Sequence, residues 1–399
     1  MSSQSHIQKL GVPLEPGVSV PHFTDPLEHI VVHSPDPGIY LGSPSLARAS
    51  DGSLAISHDF FGPNSLKDAH RREHRTQIFR SSDEGAHWER IAQVDGAFWS
   101  GLFVHRGALY LFGTSAQYGD IVIRRSVDGG GTWTTPRDDK SGLLFRGGPG
   151  LEAPNYHTAP VPVLLYGGRI WRAFEDNTTG HWPTGFRALV LSAEEDADLL
   201  CAGAWTATPA LSYDPEADPP EFGSQAGWLE GNVVADPEGT LWNILRVNSV
   251  PEANWGARLR IAPGGRALYA DSGNVFFRFP GGMSKFTIRR DPSSGMYWTL
   301  ANEVIHPQNP TQRNFLALFC SQDLWHWERR AVLLWKPEPP DRVGKDSRIG
   351  FQYVDWMIEG EDLLFVSRTA YRGAHNFHDA NYITFHKLQN FRKMRLLRL

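Results

Sequence analysis

Short runs in which apolar and polar residues alternate recur along almost the whole chain, separated by Gly, Pro, Asn and Asp. This alternation predicts β-strands with one buried face, and the residues between the runs predict tight turns. Helical periodicity is scarce, and only residues 193–202 fit one or two helical turns. The chain is therefore predicted to be all-β, with strands at residues 45–50, 54–59, 76–80, 109–112, 121–125, 161–166, 170–174 and 363–367.

A short box with the pattern S-x-D-x-G-x-x-W occurs at residues 81–88 and again at residues 126–133, and residues 321–327 form a degenerate copy. Asp and Gly suit a tight turn in which the carboxylate accepts backbone N–H groups. The Trp is expected to begin the next strand and to pack between neighbouring sheets. The two complete boxes are about 45 residues apart, a spacing typical of one blade of a β-propeller.

The repeat spacing favours a β-propeller over a sandwich or a barrel. Six units can be traced along the chain, and residues 28–34 are expected to complete another by closing the ring. We therefore predict a seven-bladed propeller, with six blades as the alternative count. Residues 1–27 are predicted to be an extended N-terminal strap, and residues 28–399 a single catalytic domain.

Composition excludes several classes of protein. Charged residues make up 21% of the chain and the net charge is −5, which gives no basic bias for a nucleic acid or a membrane surface. The two cysteines, Cys201 and Cys320, argue against a disulfide framework and a thiolate metal cluster. Because no apolar run has the length of a signal peptide or a membrane span, the predicted location is the cytoplasm. The oligomeric state stays open.

Ionisable residues within predicted strands are the candidates for chemistry, because the inner strands of a propeller converge at one mouth of its channel. His58 is the first candidate. Alternation places it on the face opposite Ser57 and Asp59, so the tripeptide Ser-His-Asp is not a catalytic triad. A single His in a strand is either a structural residue or part of a site, and the sequence leaves both open.

Tyr156 and Arg172 form the second candidate, since Tyr156 starts one predicted strand and Arg172 lies in the next. An Arg within an apolar strand needs an anionic partner. That partner is either Glu175 or Asp176 of the protein itself, or the carboxylate of a substrate.

A third candidate contains His375, His378 and Asp379, which are close enough in sequence to ligate a divalent metal ion. No distant third ligand is evident, so we favour a polar lining of the site and predict no cofactor. Polar residues in other strand-like segments complete a predicted ring around the channel, and they include Glu230, Arg246 and Lys285.

With these residues in view, the chain resembles the propeller enzymes that act on uronate-linked rhamnose: ulvan lyases, rhamnose–glucuronate lyases and a related glycoside hydrolase family of α-L-rhamnosidases. The resemblance covers nearly the whole chain. It is carried by the segments SHDFFGP, WSGLFVHRGALYLFGTSAQYGDIVIRRSVDGGGTW, YHTAPVPV, WLEGN, GGMSKF and SRTAYRGAHNFHDAN. It implies a seven-bladed propeller with a lyase site at the channel mouth. The repeated box also occurs in sialidases, but their set of three arginines is not recognisable in the sequence.

The resemblance implies a catalytic centre made of a His, a Tyr and an Arg, which correspond here to His58, Tyr156 and Arg172. Several of the lyases carry a second catalytic His where this chain has Gln77, for which we predict a role in sugar binding. The residues predicted to bind substrate are Gln77, Tyr118, His157, Glu230, Arg246, Lys285, Arg368 and His375.

β-Elimination removes the C5 proton of a uronate. Arg172 would stabilise the developing enolate, and Tyr156 and His58 would exchange the protons. The predicted function is therefore a lyase that cleaves a rhamnosyl-(1,4)-glucuronate linkage in small oligosaccharides containing a uronate. An α-L-rhamnosidase acting on the same linkage and a non-catalytic sugar-binding propeller are the alternatives.

Overall fold

The computed structural model describes residues 25–394, apart from residues 35, 218–221, 224 and 340. Most of the strap predicted for residues 1–27 lies outside the described residues. Within them, the strands form six antiparallel sheets in the arrangement of a β-propeller, and each sheet has one edge at the common centre. The described part of the chain contains no helix with the length and apolar character needed to cross a bilayer.

The first three sheets follow one another along the chain. Blade I contains strands β2–β5, at Tyr40–Arg48, Leu54–Phe61, Arg75–Ser81 and Glu89–Asp95. Blade II contains β6–β9, at Phe98–His105, Ala108–Thr114, Ile121–Ser126 and Leu143–Phe145. Blade III contains β10–β15, at Tyr156–His157, Leu164–Tyr166, Arg169–Asn177, Phe186–Glu194, Trp205–Ala207 and Leu211–Ser212.

The remaining sheets continue the same order. Blade IV contains β16–β20, at Gly227–Ala235, Leu241–Asn248, Trp255–Ile261, Leu268–Tyr269 and Phe276–Arg278. Blade V contains β21–β24, at Thr287–Arg290, Tyr297–Ala301, Phe315–Ser321 and Glu328–Trp335. Blade VI contains β25–β27, at Gly350–Glu359, Asp362–Ala370 and Tyr382–Leu388, together with β1 at Ile30–His33. Short 3₁₀ turns occur at Ala202–Ala204, Pro215–Ala217, Gly344–Asp346 and Phe391–Lys393.

The N-terminal strand closes the ring, because β1 pairs antiparallel with β27. The predicted closure by residues 28–34 is therefore confirmed. The count of seven blades is wrong: β1 supplies the outer strand of the sixth sheet, so it completes a blade whose other strands come from the C-terminal part of the chain. The helical turns predicted for residues 193–202 are also wrong, since β13 continues to Glu194 and hydrogen-bonded turns follow.

The repeated boxes form closely similar turns. In the first box, Asp83 accepts the backbone N–H of His87 (2.9 Å), and the indole of Trp88 donates to the carbonyl of Gly85 (3.1 Å). The Trp88 ring also contacts Phe385 of blade VI, with 5.3 Å between the ring centroids. The box thus turns the chain from β4 into β5 and attaches blade I to the blade that closes the ring.

Four inner strands carry a β-bulge near the same end of the channel. The register shifts in β2, β6, β16 and β25, and one residue at each bulge has a left-handed backbone. A bulge of this kind turns a side chain away from the face that alternation would give it. The four residues are Ser43, Trp99, Glu230 and Tyr353, with φ angles of 48°, 47°, 55° and 54°.

Replacing Gly85 by Ala tests the contact between blades I and VI. Gly85 has a φ of 90°, and an added Cβ would lie 2.2 Å from the buried ring of Phe385. Gly52 is the matched control, because its φ is 88° and an added Cβ would meet no atom within 4 Å. We expect Gly52→Ala to lower the free energy of unfolding by ~1–2 kcal/mol through backbone strain alone. Gly85→Ala should cost a further ~1–3 kcal/mol from overpacking, as measured by denaturant unfolding. Equal losses in the two variants would contradict the proposed contact.

Candidate active site

A cavity of about 210 Å³ opens at the mouth of the channel, on the side where the bulges lie. All four residues with a left-handed backbone at the bulges line it, so the bulges direct their side chains to one place. Its other lining residues include Asp59, Tyr118, His157, Trp182, Arg368 and His378. A larger cavity of about 590 Å³ lies between blade I and β1. We place the site at the mouth, because the buried acids Asp59 and Glu230 and the buried arginine Arg368 line this cavity together.

A chain of three hydrogen-bonded side chains is the centre of the cavity. The hydroxyl of Tyr353 donates to Glu230 (2.7 Å), and the guanidinium of Arg246 donates both to Glu230 (2.8 Å) and to the oxygen of Tyr353 (3.1 Å). Glu230 and Arg246 are buried, at 2% and 5% exposure. These residues come from blades IV and VI, which meet across the mouth.

The surroundings give the carboxyl group of Glu230 and the phenol of Tyr353 different protonation states. Burial alone would raise the pKa of Glu230, but the charges and hydrogen bonds of Arg246, His157 and Tyr353 bring that pKa below its ordinary value. Burial, together with the charge of Glu230, raises the pKa of Tyr353 to about 12. At neutral pH the site therefore contains a carboxylate that accepts the proton of a neutral phenol.

Two further arginines approach the same phenol. Arg368 lies over the ring of Tyr353, with 5.1 Å from its guanidinium carbon to the ring centroid, and Arg313 interacts electrostatically with both Tyr353 and Arg246. Both are buried and donate to backbone carbonyls, and neither forms a salt bridge with a carboxylate of the described residues. Buried cations without anionic partners are unfavourable. This part of the cavity is therefore suited to an anionic ligand.

Asp59 lines the cavity from blade I and is 1% exposed. It accepts the hydroxyl of Thr76 (2.5 Å) and the backbone N–H of Trp99 (2.7 Å). Burial nevertheless raises the pKa of Asp59 to about 8. The cavity thus contains one acid that is protonated at neutral pH and one, Glu230, that is ionised, a separation typical of an acid and a base in catalysis.

His157 faces the same cavity from blade III. Its Nδ1 lies 3.0 Å from the carboxylate of Glu175, which is fully buried. The ring is surrounded by aromatic side chains, with 4.3 Å to Trp99 and 4.8 Å to Phe186 between centroids. Burial raises the pKa of Glu175 above its ordinary value, although His157 opposes the rise. Since Nδ1 is engaged, Nε2 is the ring nitrogen left for a ligand.

Buried carboxylates also connect one blade to the inner strand of the next. Each accepts a backbone N–H at or beside a bulge of the next blade, so it fixes the direction of the bulge as well as the spacing of the blades. Three such bonds join Trp99 to Asp59 (2.7 Å), Gly231 to Glu175 (3.1 Å) and Leu46 to Asp355 (3.0 Å).

Of the residues predicted to bind substrate, five are at this site. Tyr118, His157, Glu230 and Arg368 line the cavity, and Arg246 bonds to two of its lining residues. Their exact roles stay predictions. Three arginines, Arg246, Arg313 and Arg368, surround Tyr353, and because they lie on separate blades no local sequence pattern predicts that they meet.

The predicted catalytic residues do not line this cavity. His58 is fully buried against Phe60 and Phe79, and burial lowers its pKa to about 4. Tyr156 packs in the core between blades II and III. Arg172 is also fully buried and donates to the carbonyl of Ala159 (3.0 Å). Alternation explains the positions of His58 and Tyr156, since the next residues along, Asp59 and His157, face the mouth instead.

Three other predicted residues are apart from the mouth cavity. Gln77 lines the cavity between blade I and β1. Lys285 is buried and donates to Thr287 and to the carbonyl of Val354 (2.8 Å each), so it supports the strand beside Tyr353.

His375 lies outside the mouth, where its ring stacks on Tyr40 with 5.7 Å between centroids. Its Nδ1 bonds to Asp379 (2.6 Å), which also bonds to His378 (2.9 Å). Within the described ranges, no group of three or more His, Cys, Asp and Glu side chains is arranged to hold a metal ion.

Sequence reasoning missed Asp59, Trp99, Arg313 and Tyr353. Asp59 could have been found, because the alternation that separates it from His58 leaves it on the other face of β3. Tyr353 could not have been found in this way, since its direction depends on the bulge in β25.

Solved structures with the same fold are known. The chain is similar to an α-L-arabinanase from Penicillium chrysogenum, with a TM-score of 0.57 and 16% identity over 92% of this chain and 98% of that one. It is also similar to an α-L-arabinofuranosidase from Fusarium graminearum (TM-score 0.56, 12% identity, 90% of this chain and 97% of that one). A leech intramolecular trans-sialidase is a third neighbour (TM-score 0.55, 10% identity, 98% of this chain and 72% of that one).

The TM-scores establish a shared propeller fold, and sequence identities this low show no more than the fold. These neighbours belong to families other than the one expected from the sequence, so that expectation is supported at the level of the fold. No family model and no curated protein matches the chain by sequence.

The pKa of Asp59 gives a test by pH. Between about pH 4 and about pH 8 the native protein retains a proton that the unfolded chain has released, since the pKa of Asp59 rises from 3.8 to about 8 on folding. This group therefore makes the protein less stable as the pH rises through that window. Asp59→Asn cannot ionise, so the melting temperature of the variant should gain on that of the wild type as the pH rises. Parallel curves of melting temperature against pH would contradict a protonated Asp59.

Proposed function

We propose that the protein is a glycoside hydrolase that releases a terminal acidic sugar, one carrying a carboxylate, from a glycan. The observation that carries this proposal is the hydrogen bond between Tyr353 and Glu230 inside a cluster of three arginines. A cavity of about 210 Å³ is smaller than the usual site for a drug-sized ligand. That size favours recognition of a single sugar unit at the end of a chain.

The arginines would bind the carboxylate of the sugar. Arg313 and Arg368 are the main candidates, because Arg246 is already paired with Glu230. A planar guanidinium can form two parallel hydrogen bonds with a carboxylate, which fixes the orientation of the sugar as well as its charge. Binding the anion would also neutralise cations that the fold leaves without carboxylate partners.

Tyr353 would act as the nucleophile. Its oxygen would attack the anomeric carbon while Glu230 accepts the phenolic proton, and Asp59 would donate its proton to the departing glycosidic oxygen. Water would then attack the glycosyl–tyrosine bond, with the ionised Asp59 accepting a proton from the water, and Tyr353 would leave with a proton returned by Glu230. Two displacements of this kind retain the anomeric configuration.

A tyrosine is better suited than a carboxylate to attack an acidic sugar. A carboxylate nucleophile would carry its full negative charge close to the carboxylate of the substrate, and the two would repel each other. The phenol is neutral until the reaction begins, because Glu230 takes its proton only as the new bond forms. Tyrosine nucleophiles are found in sialidases for reactions of this type.

Similarity to solved structures supports a carbohydrate substrate. The neighbours include an arabinanase, an arabinofuranosidase and a trans-sialidase, all of which share this propeller fold. The trans-sialidase is the relevant comparison for an acidic sugar, since arabinose carries no carboxylate. The cluster of arginines at this mouth favours the acidic class.

The rhamnosyl-glucuronate lyase predicted from the sequence is the second candidate. The same arginines would bind the carboxylate of a uronate and stabilise the enolate of an elimination. A lyase leaves a conjugated unsaturated uronate that absorbs ultraviolet light, whereas a hydrolase leaves a saturated sugar. We favour hydrolysis because Tyr353 is bonded to a carboxylate that can accept its proton.

Aryl glycosides of sialic acid, glucuronic acid, L-rhamnose and L-arabinose provide the test. We expect release of the aryl group only from an acidic sugar, with retention of configuration in the product by NMR. Tyr353→Phe and Glu230→Gln should each lower kcat by at least ~10²- to 10⁴-fold, because the first removes the nucleophile and the second removes the group that accepts its proton.

Tyr382→Phe is the matched control, since Tyr382 stacks on His33 in blade VI and is not a lining residue of the cavity. It should retain wild-type activity. Cleavage of the neutral glycosides alone would overturn the proposal, and so would full activity in Tyr353→Phe. Ultraviolet-absorbing products from a rhamnosyl-glucuronate would establish the lyase instead.

A further inference from the structure

Trp182 differs from the other tryptophans of the chain in its exposure to solvent. All 14 tryptophans fall within the described residues, and 13 of them are buried or half-buried. Trp182 is 52% exposed, and it lines the cavity at the channel mouth. Because Trp182 lies at the cavity, the exposed part of its indole is accessible to a ligand that extends out of the mouth.

The segment that carries Trp182 is fixed at its base. The side chain of Asn177 donates to the carbonyl of His181 (3.1 Å), and the backbone N–H of Gly185 donates to the same carbonyl (2.9 Å). Pro183, the next residue, is buried against the backbone of Gly227. The exposure of Trp182 is therefore a property of an ordered turn, so a ligand would not have to order the segment on binding.

The position of Trp182 relates it to the arginine cluster. The guanidinium of Arg246 lies over its ring, 5.8 Å from the centroid. Arg246 is the residue that bonds to both Glu230 and Tyr353. The indole is thus beside the groups proposed to react, while much of its surface stays in solvent.

We propose that Trp182 is a sugar-stacking residue, which binds the apolar face of a sugar ring in the part of the glycan that extends beyond the small cavity. This inference rests on the proposed function and deepens it. The acidic sugar would enter the cavity, and a second sugar would cover the exposed indole. The substrate is then an acidic oligosaccharide or a glycoconjugate rather than a simple acidic glycoside.

Fluorescence quenching tests this binding without any turnover. Acrylamide quenches exposed indoles most strongly, so Trp182 should dominate the quenchable fraction of the wild type, and Trp182→Phe should lose most of it. A sialylated trisaccharide, used with the inactive Glu230→Gln variant, should protect Trp182 from the quencher. Free sialic acid should protect it much less, because it is expected to occupy only the cavity.

Kinetics with two substrates give the second test. Trp182→Ala should raise the KM for the sialylated trisaccharide roughly tenfold, the factor that corresponds to one lost contact of ordinary strength. It should raise the KM for a methyl sialoside much less, because a methyl leaving group is too small to cover the indole. Tyr269→Ala is the matched control, because Tyr269 is 45% exposed and lies under Arg260 at 4.9 Å, but is not a lining residue of the cavity. It should alter neither KM.

The outcomes separate this inference from the proposed function. Hydrolysis of aryl sialosides, with no protection of Trp182 by the trisaccharide and an unchanged KM in Trp182→Ala, would overturn the stacking role and leave the hydrolase intact. Protection by the trisaccharide without hydrolysis of any acidic glycoside would support the stacking role and overturn the reaction. Equal protection by free sialic acid and the trisaccharide would overturn the second sugar subsite.

Discussion

The bond between a buried carboxylate of one blade and a backbone N–H of the next is the interaction on which the site depends. Asp59, Glu175 and Asp355 each make such a bond at or beside a bulge. A bulge with a left-handed residue is strained, and it persists only where the surroundings fix it. Because these bonds lie at the centre of the ring, the same bonds set the spacing of the blades and turn side chains towards the mouth.

Burial and pairing set the protonation states of the two carboxyl groups in the cavity, those of Asp59 and Glu230. The low polarity of the interior favours the neutral form of Asp59, whereas the direct pairing of Glu230 with Arg246 favours its charged form. Two carboxylates of similar intrinsic acidity thereby acquire different protonation states within one cavity. The arginines that remain unpaired with carboxylates supply the positive field in which an acidic sugar can bind.

The local sequence pattern predicted the class of fold, because strands and turns depend on residues that are adjacent in the sequence. The alternation of apolar and polar residues and the repeated box were enough for an all-β propeller, and the closure of the ring by residues 28–34 was also expected. The number of blades was not predictable in this way. It depends on whether β1 completes the sheet of β27 or belongs to a sheet of its own, and that pairing joins opposite ends of the described chain.

The sequence by itself determined the strands, the turns and the presence of polar residues on the inner strands, because each follows from the chemistry of a few adjacent residues. Only the tertiary structure decided which of those residues meet. Alternation put Asp59 and His157, rather than His58 and Tyr156, on the side of the mouth. The bulges then broke the alternation to direct Glu230 and Tyr353 inwards. That step cannot be read from the sequence, since the bulges also depend on hydrogen bonds from neighbouring blades, such as those that Asp59, Glu175 and Lys285 make.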